Sequence, residues 1–86
     1  MTLDSRLKEL IAVGASVTAN CQPCLEYHVG KALENGADGQ EIAEAVEIAK
    51  MVRKGAASKM DKFALSLNYA AISTASATDD GCGCNS

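Results

Sequence analysis

The chain has 86 residues, a formal charge of −3, four Cys, two Tyr, one Phe and no Trp. That length fits a single domain with a small core, and the acidic balance argues against a nucleic-acid partner, whose phosphates require a basic face. With so few aromatic anchors, close helix packing must hold the chain, and so thin a core predicts a homo-oligomer.

In chain order the pattern is helical. Asp4 is placed to cap a helix over residues 5–18, in which Leu7, Leu10, Ile11, Ala15 and Val17 recur at helical spacing. Asn20 is the expected cap of a second helix, and Pro23 is tolerated in its first turn, where an amide has no intrahelical acceptor. That helix carries Cys21, Cys24, Leu25, His28 and Ala32 on adjoining positions, and Asn35-Gly36 supplies its stop. Asp38 and Glu41 read as a capping box for a third helix, with Ile42, Ala45, Val46, Ala49 and Val52 as its buried stripe. Gly55 marks a break or a tight packing point, after which Met60, Phe63, Ala64, Leu67 and Ala71 continue the period.

No strand pattern appears, so the expected fold is all-α, a compact bundle of about four helices that oligomerises through helical faces. The expected domain covers residues 1–72. From residue 73 the composition turns to Ser, Thr, Ala, Asp and Gly, too poor in apolar surface to offset its ordering entropy, and residues 73–86 read as a flexible tail that contains Cys82 and Cys84. Lys50, Arg53, Lys54, Lys59 and Lys62 read as a solvated helix surface or an oligomer rim. No apolar run approaches a membrane span and no signal-peptide core opens the chain, so the expected location is cytoplasmic, with no membrane partner.

The chemistry concentrates in Cys21-Gln22-Pro23-Cys24 and His28. Residues at i, i+3 and i+7 share a helical face, so two thiols and an imidazole should converge there. Cys21 falls at a helix N-terminus, where unpaired amides and the helix dipole stabilise a thiolate. Cys24 lies about a turn deeper and is expected to be less exposed, with His28 at i+4 placed as its general base. Two antiparallel helices joined by the short turn at Asn20 bring Glu9 near His28, which completes a thiol, imidazole and carboxylate set. Tyr27 is expected to serve packing, Glu26 the surface, and Met51 and Met60 the core. Four cysteines near the two ends of a helical chain do not form the pattern of a secreted disulfide framework.

The run Glu9, Cys21-Gln22-Pro23-Cys24, His28, Gly36-Ala37 and Glu41-Ile42 resembles the redox-active branch of the alkylhydroperoxidase D-like, carboxymuconolactone decarboxylase superfamily. The segment Val52 to Met60 is similar to short members of that group, and the likeness covers roughly Leu7 to Leu67. The resemblance implies an all-α fold that assembles into dimers, trimers or hexamers. It implies a thiol-dependent peroxidase or disulfide oxidoreductase in which Cys24 attacks peroxide, Cys21, the more exposed thiol, resolves the product into a disulfide, and His28 with Glu9 relays the proton. The partners it implies are a peroxide or disulfide substrate and a dithiol or thioredoxin-like reductant, with a peroxiredoxin as a further acceptor. The decarboxylase branch lacks the cysteine pair, so lactone chemistry is not expected.

No nucleotide, flavin or haem motif is present, so no cofactor is expected and reducing equivalents must come from another dithiol. Cys82 and Cys84 are candidates for a tethered redox relay, a metal-binding pair or an inert end. Two alternatives stand beside the redox reading. One is a zinc site built from Cys21, Cys24, His28 and a tail thiol; the other is a non-enzymatic helical assembly module in which the cysteines are incidental.

Overall fold

The structure, a computed structural model, describes residues 2–67 and 69. Among them lie three α-helices and no strand: α1 over Ser5–Thr18, α2 over Gln22–Glu34 and α3 over Gly39–Ser66. Ala71, Cys82, Cys84 and the whole of the expected 73–86 tail fall outside the described residues.

The helix boundaries follow from side-chain caps. Asp4 in extended backbone accepts from the Leu7 amide at 2.8 Å, which satisfies one of the free donors of α1. At α3 the box is reciprocal: the Glu41 amide donates to Asp38 Oδ1 at 2.9 Å, and the Asp38 amide to Glu41 Oε1 at 3.2 Å. Arg6 of α1 reaches the other oxygen of Glu41 at 2.5 Å and ties the starts of the two helices together. α2 ends at Asn35, and Gly36 follows at φ 97°, a conformation open to glycine at little cost.

Two expected boundaries are corrected. Asn20 does not cap α2: it sits in the left-handed region at φ 58°, whereas an N-cap needs extended backbone, and Cys21 at φ −106° takes that position. Nor does Gly55 break the third helix, which runs through it for 28 residues, so the expected fourth helix is the second half of α3. One glycine costs about 1 kcal/mol relative to alanine, too little to end a helix capped this firmly at its start. Gly55 is not a tight packing point either, since a Cβ built there would meet nothing within 4 Å.

α1 is the central element and packs against both α2 and α3, which scarcely touch each other. The core is small. Val13, Ala32 and Ala37 form its buried centre, with Leu10, Leu25, Val29, Ile42, Ala45 and Val46 packed around them. The approach of α1 to α3 is close at Gly14, where a Cβ would stand 3.7 Å from the Ala49 Cβ. Several residues expected inside are exposed instead: Leu7, Ile11, Met51, Val52, Met60, Phe63 and Leu67. From Lys54 to Phe63 every residue of α3 is exposed, because α3 outruns the two shorter helices. Leu7, Leu10 and Ile11 of α1 face Ala45, Ile48 and Val52 of α3 across an open apolar groove of about 680 Å³.

Candidate active site

The turn from α1 to α2 builds the site. After Thr18 the Ala19 amide closes on Ala15 O, the Asn20 amide on Val17 O and the Cys21 amide on Ser16 O, at 2.9, 3.0 and 3.0 Å. The left-handed Asn20 reverses the chain and delivers Cys21 as the cap of α2. Pro23, in the first turn, supplies the fixed φ that the start of a helix needs. Cys21 and Cys24 are joined as a disulfide with their Cα atoms 5.2 Å apart. The Cys24 amide donates to Cys21 Sγ at 3.3 Å, so that sulfur stands where the free donors and positive end of α2 converge.

The exposure of the two cysteines is the reverse of that expected. Cys21 is half-buried and Cys24 is exposed. The reason is the shifted cap: Cys21 tucks beneath the turn and lines a small cavity with Val17, Leu25 and Arg53, while Cys24, three residues on, is left at the surface.

One turn beyond Cys24, His28 makes the expected contact with Glu9 of α1, Nδ1 to Oε1 at 2.7 Å. The Glu9 side chain is only 17% exposed and that of His28 30%, so the pair is partly screened from water. An ionised carboxylate only accepts, so Nδ1 donates and the neutral ring keeps its lone pair at Nε2. Tyr27, expected to serve packing, is exposed and packs against the site itself, with its ring edge-on to His28 at 5.0 Å and Lys31 Nζ at 6.0 Å from its centroid. The Lys31 ammonium is held above its ordinary range first by its hydrogen bond to Glu34 and then by the charge of that carboxylate.

The four expected site residues thus form two pairs, Cys21 with Cys24 and His28 with Glu9, and among the described residues no hydrogen bond joins one pair to the other. No three His, Cys, Asp or Glu side chains among the described residues converge as a metal site requires. Of the zinc alternative's donors, Cys21 and Cys24 are joined in the disulfide, and the tail thiol lies outside the described residues. Sequence reasoning missed Arg53. Placed within a solvated basic run, it folds back from α3 to the α1–α2 turn, with Nη1 donating to Val17 O at 3.0 Å and Asn20 Oδ1 at 2.9 Å. The available signal was that Arg53 is the arginine among four lysines, and a planar fork is suited to two acceptors at once.

No helix among the described residues is long and apolar enough to cross a membrane. A family model described as the Carboxymuconolactone decarboxylase family matches residues 2–65. The chain is also similar to "Uncharacterized protein 4 in cox locus" of Paracoccus denitrificans, at 44% identity over 55 residues that cover 64% of this chain and 50% of that protein. The chain therefore spans about half the length of the curated relative it matches. No solved structure matches it.

Proposed function

The chain belongs to the carboxymuconolactone decarboxylase family, in its alkylhydroperoxidase D-like form with a CxxC pair, and from that premise we propose that it is a thiol-dependent peroxidase or disulfide reductase. The observation that carries this reading is the Cys21–Cys24 disulfide at the first turn of α2, with the Glu9-bound His28 one turn further along.

In the peroxidase cycle His28 Nε2 takes the proton of Cys24. The thiolate attacks one peroxide oxygen, the O–O bond breaks, and the released alkoxide or hydroxide takes up a proton, leaving Cys24 as a sulfenic acid. Cys21 then attacks that sulfur, expels hydroxide, which leaves as water, and closes the disulfide. Exposure of Cys24 supports its role as the thiol a peroxide reaches, and the amide and dipole at the start of α2 support Cys21 as a stabilised resolving thiolate. A dithiol reductant opens the disulfide by exchange, itself becoming the disulfide. Its identity, like that of the peroxide or disulfide substrate and of a peroxiredoxin acceptor, is set by surfaces outside this pair. In the proposed working form the chain is a homo-oligomer, which the open α1–α3 groove supports.

The test is turnover of hydrogen peroxide and an alkyl hydroperoxide with a dithiol reductant. Cys24→Ser should abolish it, and Cys21→Ser should accumulate a sulfenic acid or mixed disulfide at Cys24. Equal turnover in wild type and Cys24→Ser contradicts the proposal.

A further inference from the structure

Between Lys50 and Phe63, Arg53 is the single residue of α3 that is not exposed. Its guanidinium spans to the last turn of α1, where carbonyls run short of intrahelical partners and the dipole is negative. α1 has no basic residue of its own in that turn, so Arg53 supplies the cation from another helix. Its second acceptor, Asn20, is the residue with left-handed backbone that aims the chain into Cys21. Arg53 and Cys21 then line the same cavity of about 210 Å³, and among the residues lining it Arg53 carries the only charge.

We propose that Arg53 is a positioning residue for the Cys21–Cys24 pair: it pins the turn that presents Cys21 and holds a fixed positive charge at the cavity where the Cys21 thiolate forms on reduction. This rests on the redox reading above. Arginine does not deprotonate in a protein, so the charge is constant across the working pH range. Oxidation removes the thiolate and with it the attraction, so the cation stabilises the dithiol over the disulfide and makes the pair a stronger oxidant. Partial burial of Arg53 and Cys21 limits the screening that would cancel such an effect at an open surface.

The experiment is equilibration of the full chain with glutathione at neutral pH. The Cys21–Cys24 disulfide plus two glutathione thiols gives the protein dithiol plus one glutathione disulfide, and the fractions are read by thiol labelling and mass spectrometry. Arg53→Gln should move the equilibrium about tenfold toward the protein disulfide, equivalent to about 30 mV for this two-electron couple. Arg53→Lys, which keeps the charge, should stay within about threefold of wild type. Equilibria for Arg53→Gln and wild type that agree within about twofold overturn the proposal, as does a shift in Arg53→Lys as large as in Arg53→Gln. Should Arg53→Gln fail to fold, Asn20→Asp retains the turn, since Asp tolerates left-handed backbone, and neutralises the guanidinium in place. It should shift the equilibrium the same way by at least about threefold, and an unchanged value overturns the proposal. A wild-type pair that never exchanges with glutathione refutes the redox reading itself, which separates that failure from a failure of Arg53 alone.

Discussion

Glu9 decides what His28 can do. By accepting at Nδ1 it fixes the ring and leaves Nε2 as the basic nitrogen, and a base is needed only while the thiol is protonated. His28→Ala should therefore slow the first peroxide step about 100-fold at pH 7, with the deficit shrinking as alkaline pH ionises the thiol unaided. Glu9→Gln should give a smaller loss of the same shape. Stopped-flow rates against pH check both, and a deficit independent of pH contradicts the assignment. At this scale the Glu9–His28 contact was legible, because a short turn between two amphipathic helices leaves few positions opposite one another. The exposure of the cysteines was not. It turns on whether residue 20 or residue 21 caps α2, a one-residue choice decided by the left-handed Asn20 and the Arg53 that holds it.

The helices show what caps and periodicity determine and what they leave open. Asp4, Asn35-Gly36 and the Asp38–Glu41 box act where their residue types require, because each answers a local shortage of hydrogen-bond partners. The inward stripe of α1 was harder to read, since that helix has two apolar faces: Val13 is fully buried toward the core while Leu7 and Ile11 line the groove with α3. Counting one stripe merges the two, and Val13 drops out. Gly55 and Gly36 make a contrast that tests the boundaries. Gly55→Ala, in mid-helix with open space around it, should raise unfolding stability by up to about 1 kcal/mol at fixed protein concentration. Gly36→Ala, at φ 97°, should lower it by about 1 kcal/mol or more. Chemical denaturation measures both, and a destabilising Gly55→Ala would mean that the second half of α3 is closely packed after all.

For the whole molecule, what stands out is how much apolar surface one chain leaves uncovered. Val13 is the only large side chain among the described residues that is fully buried, whereas Ile11, Ile48, Met51, Val52, Met60 and Phe63 are all more than half exposed. Periodicity marked all of these but Ile48 as inward positions without showing what would cover them, and among the described residues no further element of the chain packs there. In the proposed homo-oligomer a second copy would cover them. Ile48→Glu at the groove should then reduce the mass in light scattering to that of one chain, and a monomeric wild type would contradict that assembly. The central claim, that this family member uses its CxxC pair for thiol redox chemistry, is tested most directly by reducing the protein, adding one equivalent of hydroperoxide and mapping the products by mass. The account predicts loss of the Cys21 and Cys24 thiols together, as the Cys21–Cys24 disulfide, with consumption of the peroxide. Two thiols left intact, or oxidation at other residues while this pair stays reduced, would contradict it.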